Sequence, residues 1–232
     1  NVSHLQQYRP KEPLQIFSQE GLLIAEFGEE RRDHVLIQNV PQKMINAILA
    51  IEDRRFFEHP GIDIVGVLRA ALKNISGQGH EGASTITMQV ARNFFLSSER
   101  TFKRKINEIL LAIKIEDSLS KEEILELYVN QIYLGQRAFG FSAAANAYFN
   151  KSLDELNLAE SALLAGLPKA PSRYNPLINP ELAIQRQQAV LRSMLRHGYI
   201  DNPTYQIALE EPINLRDSVS KRELKADYVA EM

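Results

Sequence analysis

Residues 52–61 concentrate side chains that can do chemistry, reading E-D-R-R-F-F-E-H-P-G. An apolar run, residues 44–51, leads directly into Glu52. At the end of a buried helix, desolvation disfavours the charged form of a carboxyl group, which makes it a useful general base near neutral pH. The alternative is a helix end whose acids form structural ion pairs with Arg54 and Arg55. Taken alone, that second interpretation describes the more common situation.

A second group of polar residues follows a glycine-rich loop, residues 76–82, which we expect to be mobile. Ser84, Thr87, Gln89 and Arg92 offer donors at the start of a predicted helix, where the helix dipole favours anions. Taken alone, this pattern is more simply an N-cap followed by solvated polar residues.

A third group is cationic and precedes Glu108, because residues 100–105 read R-T-F-K-R-K. Glu108 lies one turn after Arg104 and three residues after Lys105, so the three side chains share a helical face. An acid held among cations can help to grip a phosphate, with or without a divalent metal ion. The alternative is a solvated helix face with ordinary salt bridges.

The composition limits the classes of protein that the chain can belong to. With 232 residues, of which 44% are hydrophobic, it can form one substantial core or a core with an appendage. A formal net charge of −2 gives no reason to expect a nucleic acid partner. The absence of cysteine excludes disulfides and thiolate metal sites. No run of about 18 apolar residues and no signal peptide is visible, and a start at Asn1 suggests an excised piece.

The elements that must position these residues are mostly helices. Residues 14–18 and 22–27 flank a Gln-Glu-Gly turn and predict a β-hairpin, and residues 35–40 predict a short strand. Helical periodicity then begins at Pro41. The first predicted helices are 41–55, 64–75 after an Asp63 cap, 84–96 with Ser84 or Thr85 as cap, and 100–118. The next are 124–133 after a Ser120–Glu123 capping box, 141–149, and two helices that begin at Ser152 with Glu155 and at Asn157 with Glu160. The last two run from Asn179 to Gly198 and from Asn202-Pro203 onward.

Within these helices, two groups of residues have an expected structural role. Gly135 and Gly140 should permit turns or close packing. The helix over residues 100–118 should turn its apolar side chains toward the core, namely Phe102, Ile106, Ile109, Leu110 and Ile113.

Joined together, these stretches resemble the peptidoglycan glycosyltransferase domain of class A penicillin-binding proteins, glycosyltransferase family 51. The motifs occur in the family's order over roughly residues 41–200: E-D-x-x-F-x-x-H-x-G at 52–61, G-x-S-T at 82–85 continuing to Gln89, Arg92 and Asn93, R-K-x-x-E at 104–108, I-L-E-x-Y-x-N at 124–130, and a last segment with Leu158, Ala159, Glu160 and residues 165–168. Two positions depart from the pattern. Met88 stands where the family commonly has glutamine, and Asn107 stands where it often has lysine, so we expect one polar substrate contact fewer and a somewhat weaker affinity for phosphate.

The resemblance implies a fold and an activity. The fold would be mainly α, a lysozyme-like two-lobed helical domain with a short N-terminal β-hairpin stalk. The stalk would span residues 1–40, the glycosyltransferase domain 41–205, and a linker toward an absent transpeptidase domain 206–232. The activity would be polymerisation of lipid II into β-1,4 glycan strands, with inversion and release of undecaprenyl pyrophosphate.

The resemblance also implies roles for particular residues. Glu52 would be the general base, supported by Asp53. Glu108 would help the pyrophosphate to leave, directly or through a bound Mg²⁺ or Mn²⁺, and it is the one metal-ligand candidate. The residues implied to bind substrate are Asp53, Ser84, Thr85, Gln89, Arg92, Asn93, Arg100, Arg104 and Lys105.

The implied partners are lipid II, the growing glycan strand, moenomycin-type inhibitors and a membrane interface. The expected location is the periplasmic face of the inner membrane, anchored by an N-terminal transmembrane helix absent from this chain. Residues 64–75 and 94–96 are candidates to dip into the membrane, or else are ordinary core.

Two other functions fit the sequence less well. A lysozyme-like hydrolase would not need the cations around Glu108, and a non-catalytic lipid- or glycan-binding module would not need two carboxylates in such settings.

Overall fold

The computed structural model describes residues 14–17, 23–27, 31–75, 84–96 and 101–216. These residues are mainly helical, which confirms the prediction of a mainly α fold. The helices are α1 (Gln42–Glu52), α2 (Ile64–Ile75), α3 (Ile86–Phe95), α4 (Phe102–Glu116), α5 (Lys121–Gln131), α6 (Phe141–Phe149), α7 (Leu158–Gly166), α8 (Pro180–Arg196) and α9 (Asn202–Glu210). No helix in these ranges is both long and apolar enough to cross a bilayer.

The strands in the described residues are short and lie in two separate pairs. β1 (Leu14–Phe17) and β2 (Leu23–Phe27) pair antiparallel, and the turn between them falls outside the described residues. β3 (Arg31–Arg32) pairs in parallel with β4 (Ala138–Phe139). A stalk formed by residues 1–40 stays a prediction, as do the domain boundaries at residues 40 and 205.

Local sequence signals start several helices where they were predicted. The side chains of Ser120 and Asn157 each accept a hydrogen bond from the third residue of α5 and α7, and the glutamates there complete two capping boxes. Thr85 caps α3 through a hydrogen bond from the Met88 N–H. These caps satisfy backbone groups that a helix end otherwise leaves without partners.

The core places the end of α1 beside the start of α3. α7 is buried from Ala159 to Gly166 and packs against α1 and α8, whereas α3 packs against α4 and α5. The two sets of helices meet where the backbone N–H of Ile86 donates to Asp53, just after α1. A two-lobed, lysozyme-like arrangement stays a prediction.

The strand predicted over residues 35–40 is wrong, because Ile37–Asn39 forms a 3-10 turn. Side chains of α5 take the backbone hydrogen bonds that a strand would need. Asn130 accepts from the Val35 N–H and donates to the Val35 carbonyl, each at 2.8 Å, and Glu126 accepts from the Ile37 N–H at 2.8 Å. The residue pattern of one short segment cannot show that side chains far away in the sequence form hydrogen bonds with its backbone groups.

Two predicted helices also differ in extent. α1 ends at Glu52 rather than near residue 55, since residues 54–58 form a turn, so Glu52 is the last helical residue. The helix expected after Ser152 is only a turn over residues 153–155. There the Glu155 carboxylate accepts from both the backbone and the hydroxyl of Ser152, which satisfies the cap without a helix.

The inward face of α4 differs from the sequence prediction. Four of the five residues expected to face the core are instead exposed: Phe102 by 94%, Ile106 by 57%, Leu110 by 60% and Ile113 by 41%, whereas Ile109 is partly buried. α4 packs inward through Glu108, Ala112 and Ile115. Small residues explain this choice, because Gly61 lies so close to Ala112 that an added Cβ would come within 3.1 Å of its backbone. Amphipathic periodicity identifies an apolar face but not what covers it.

Candidate active site

A cleft of about 600 Å³ opens at the C-terminal end of α1. Cations outnumber acids in its lining. The acids are Glu52, Asp53 and Asp63, and the cations are Arg54, Arg69, Arg92, Lys169, Arg186, Arg192 and Arg196. Walls of one predominant charge focus the electrostatic field, so the cleft favours an anionic ligand.

Glu52 lies at this cleft with a side chain that is only 13% exposed. Gln89 donates a hydrogen bond to its Oε2 at 2.9 Å, and an Arg186 nitrogen lies 3.8 Å from its Oε1. Burial raises the pKa of Glu52 above its ordinary value, and the Gln89 hydrogen bond together with the charges of Arg186 and Arg92 opposes that rise only in part. A carboxylate in this state accepts a proton near neutral pH more readily than a solvated one.

Asp53 holds the turn after Glu52 against α3. Its carboxylate accepts from His59 Nε2 at 2.9 Å and from the backbone N–H of Ile86 at 3.0 Å, and the Asp53 side chain is 4% exposed. Ile86 is the first residue of α3, where the helix dipole favours a negative charge. Asp53 therefore ties the end of α1 to the start of the helix that carries Gln89.

Lys121 braces the same turn from α5. Its ammonium group donates to the His59 carbonyl at 2.6 Å and to Glu116 at 2.7 Å, and it lies 4.5 Å from the centre of the Phe56 ring. Glu116 in turn accepts from Thr87 Oγ1 at 2.6 Å. These contacts, which we call the Lys121 network, connect the turn after Glu52 with α3, α4 and α5.

The polar residues at and just after the start of α3 do not all reach the cleft. Ser84, Thr85, Gln89 and Arg92 line it, whereas Asn93 is exposed outside it. The Thr85 hydroxyl is already engaged, since it donates to the Gly61 carbonyl at 2.6 Å and accepts from Met88. Arg100 lies outside the described residues.

Glu108 forms a second centre beside the cleft. It is 1% exposed on α4, bonded to Arg104 and, at 3.0 Å, to Lys105. Lys105 also donates to Ser84 Oγ at 2.7 Å, which connects this centre to the cleft wall. The structure thus brings Arg104, Lys105 and Glu108 together, as predicted from their shared helical face.

The donors around Glu108 do not fit a divalent cation held by protein side chains alone. In the described part of the chain, no three His, Asp or Glu side chains form such a group. Each Glu108 oxygen already accepts from a cation, whereas Mg²⁺ and Mn²⁺ require several oxygen ligands.

Sequence reasoning missed the wall of the cleft that α8 forms. Arg186, Ala189, Ser193 and Arg196 recur at helical spacing and line the cleft. Gly166 lets Arg186 approach, because an added Cβ would lie 2.8 Å from its Cγ, and Arg186 Nε donates to the Gly166 carbonyl at 3.1 Å. The arginines that recur along α8 are visible in the sequence, but only the fold shows that Arg186 lies beside Glu52.

Met88, one of the two departures from the family pattern, does not face the cleft. It is 3% exposed in the core, so the residue at this position serves packing in this chain. Asn107 is partly buried on α4.

A desolvated carboxylate beside a cation-lined cleft is an arrangement typical of enzyme active sites. The transglycosylase family matches residues 20–195, and the chain belongs to this family. The match confirms the resemblance to the glycosyltransferase domain of class A penicillin-binding proteins.

Individual relatives agree with the family assignment. Penicillin-binding protein 1A of Neisseria gonorrhoeae is 54% identical over 100% of this chain and 29% of its own length. The Pseudomonas aeruginosa protein of that name is 52% identical over 100% of this chain and 28% of its own. A crystal structure of Haemophilus influenzae penicillin-binding protein 1A matches with a TM-score of 0.57 and 34% identity, over 97% of this chain and 24% of that one. The chain therefore spans under a third of these relatives.

Proposed function

We propose that this transglycosylase domain, a peptidoglycan glycosyltransferase of cell wall synthesis, polymerises lipid II into β-1,4 glycan strands. The proposed products are a strand longer by one disaccharide and undecaprenyl pyrophosphate, with inversion at the anomeric carbon. The observation that carries the proposal is Glu52, which ends a buried helix with a raised pKa at a cation-lined cleft.

In the proposed step, Glu52 takes the proton of the acceptor's sugar hydroxyl. The freed oxygen forms a bond with the anomeric carbon of the donor, and the bond from that carbon to the phosphate oxygen breaks. The electron pair leaves with the pyrophosphate. Attack from the side opposite the leaving group inverts the anomeric centre. Asp53 and the Lys121 network act through position, by fixing the turn that follows Glu52.

The leaving pyrophosphate gains negative charge, which cations must stabilise. Arg92 lines the cleft near Glu52, and Lys105 reaches the wall at Ser84. Both lie on the α3 and α4 side, where we place the donor's pyrophosphate. Glu108 holds Arg104 and Lys105 in position, which is a role for this acid that needs no metal ion.

The acceptor is a second lipid-linked pyrophosphate and needs its own cations. The cleft offers further cations on α8 and just after α7, because Arg192, Arg196 and Lys169 line it. Cations contributed to one cleft by α3 and by α8 suit a reaction that joins two anionic substrates. They would serve no purpose in a hydrolase that acts on a neutral glycan.

A lipid substrate requires contact with a membrane, and two exposed apolar surfaces support this part of the proposal. On α2, the side chains of Ile64, Val65 and Leu68 are more than half exposed. On α4, the side chains of Phe102, Ile106 and Leu110 are also more than half exposed. Phe94 and Phe95 pack against the core instead, which favours the ordinary-core alternative for residues 94–96. We place the domain at the periplasmic face of the inner membrane.

Incubation with lipid II in detergent, followed by gel separation of the products, tests the proposal. The native chain should form a ladder of glycan strands, and Glu52→Gln should reduce its rate by about a hundredfold or more. Glu210→Gln, a charge-matched change at an exposed position on α9, should leave it unchanged. A moenomycin-type phosphoglycolipid should compete for the donor side. Shortened preformed glycan without a ladder would instead identify a hydrolase.

A further inference from the structure

Tyr128 of α5 carries a buried hydroxyl group without a partner. The side chain is 0% exposed, and its hydroxyl has no hydrogen-bond partner among the described residues. Tyr148, a second fully buried tyrosine, shows the ordinary arrangement, because its hydroxyl donates to the Leu134 carbonyl at 2.8 Å. A buried hydroxyl without a partner loses its hydrogen bonds with water and gains none in the protein, so it costs stability. Such a group calls for a functional explanation.

The charges around this hydroxyl are those of the candidate active site. α5 packs against α3, the helix that carries Arg92. Burial raises the pKa of Tyr128 well above its ordinary value, and the negative charge of Glu52 is the next largest influence. Asp53 acts in the same direction, whereas Arg92 and Arg186 oppose the rise. Glu52 is therefore the charged group that this hydroxyl senses most strongly.

Glu52 has one carboxylate oxygen that a further donor could serve. Gln89 donates to its Oε2 at 2.9 Å. Oε1 faces an Arg186 nitrogen at 3.8 Å, which is longer than a hydrogen bond. The other charges that act on Glu52 are those of Arg92 and Asp53. The site thus combines a carboxylate oxygen without a close donor and, on α5, a hydroxyl without an acceptor.

We propose that the Tyr128 hydroxyl is a positioning group for Glu52 and complements this carboxyl group in both of its protonation states. A hydroxyl donates through its hydrogen and accepts through its oxygen, and its dipole orients in the field of nearby charges. No described partner fixes the Tyr128 hydrogen, so it can turn toward Glu52 while Glu52 is ionised and turn away once Glu52 has taken a proton. The inference deepens the proposed function and rests on it for the source of that proton, the acceptor's sugar hydroxyl.

The proposal gives the two buried tyrosines opposite signatures. Tyr128→Phe removes a hydroxyl without a partner, so the free energy of unfolding should stay the same or rise. It also removes a dipole that favours the ionised form of Glu52, so the pKa of Glu52 should rise further. Tyr148→Phe is the matched control. It removes a hydroxyl that donates to the Leu134 carbonyl, so it should lower stability and leave the pKa of Glu52 unchanged.

Two measurements without substrate test these signatures. Carbon-13 NMR of the chain labelled at the glutamate carboxyl carbons gives the pKa of Glu52, with the signal assigned through Glu52→Gln. Tyr128→Phe should raise that pKa by about half a pH unit or more. Urea unfolding at about pH 4, where Glu52 is largely protonated, should give Tyr128→Phe a midpoint at or above the native one and Tyr148→Phe a lower midpoint. An unchanged pKa of Glu52 in Tyr128→Phe, or a loss of stability equal to that of Tyr148→Phe, would overturn the proposal.

The lipid II assay separates this inference from the proposed function. Tyr128→Phe should move the acid limb of the pH profile of kcat/KM to higher pH, with a KM within about twofold of the native value. An acid limb that stays in place, or a raised KM at an unchanged acid limb, would overturn the inference alone. A native chain that makes no glycan, while Tyr128→Phe still raises the pKa of Glu52, would overturn the proposed function alone.

Discussion

The side-chain amide of Gln89 donates a hydrogen bond of 2.9 Å to Oε2 of Glu52, joining α3 to the last residue of α1. Burial raises the pKa of Glu52, and this hydrogen bond is the largest of the influences that oppose the rise. Gln89 therefore helps to set the pH at which the base becomes available, in addition to any contact that it makes with substrate.

Replacing Gln89 with leucine should move the acid limb of the pH profile of kcat/KM to higher pH. Removal of the hydrogen bond takes away an influence that lowers the pKa of Glu52, so the base ionises later as the pH rises. Initial rates across the pH range, measured with lipid II, check this shift. Gln206→Leu, at an exposed position on α9, is the control. An acid limb that stays in place or moves to lower pH would contradict the assignment of Glu52 as base.

Glu52→Gln should stabilise the fold at neutral pH while it removes activity. Because the folded-state pKa of Glu52 is raised, the folded chain binds this proton more tightly than the unfolded chain does. Ionisation of Glu52 therefore destabilises the fold as the pH rises above the ordinary glutamate value, and the penalty is complete above the folded-state pKa. The variant should match the native Tm at about pH 4 and exceed it at pH 7. A lower Tm at pH 7 would show that Glu52 is held mainly by favourable pairing.

Lys121→Met should lower kcat by about tenfold to a hundredfold with little change in KM. The methionine cannot hold the His59 carbonyl and Glu116, so the turn after Glu52 loses its brace, and small misplacements of a catalytic group are costly. Lys121→Arg should recover part of the rate, and Lys114→Met should have no effect. A rise in KM with kcat intact would instead indicate a substrate contact.

Gly140→Ala should destabilise the chain by at least about 2–3 kcal/mol. Gly140 has φ 89° and ψ 159°, a conformation that side-chain-bearing residues rarely adopt, and an added Cβ would lie 2.8 Å from the Asn130 carbonyl oxygen. Gly198→Ala is the matched control, because Gly198 also has a positive φ, 74°, but no atom within 4 Å of the added Cβ. It should cost only about 1 kcal/mol. Denaturant unfolding gives the free energy of unfolding of both variants. Equal losses of stability would show that the close contact with Asn130 does not add to the cost of the Gly140 substitution.

Leu110→Gln should weaken binding of the chain to phospholipid vesicles by about fivefold to tenfold, as expected when apolar area that enters the bilayer is lost. Leu110 lies on the outward apolar face of α4. Ile207→Gln provides a control on α9, where the isoleucine is equally exposed but lies on a different helix. Vesicle sedimentation measures the bound fraction. Equal weakening by both variants would show that the α4 face has no special role in membrane contact.

Features that depend on residues close together in the chain could be predicted from the amino-acid sequence. The capping boxes at Ser120 and Asn157 and the shared face of Arg104, Lys105 and Glu108 could be predicted because each involves groups at most four residues apart. The motif order also identified the family, since a match of several ordered motifs is specific even where each motif alone is weak.

Contacts between groups far apart in the chain could be identified from the folded structure alone. The sequence cannot show that Arg186 approaches Glu52 over Gly166, or that Lys121 braces the turn at His59. It also misjudged α4, whose apolar face is exposed while Glu108 is buried. The physical reason is common to these cases. Local propensity and periodicity depend on short-range contacts, whereas burial, desolvation and charge pairing depend on packing between segments far apart in the chain.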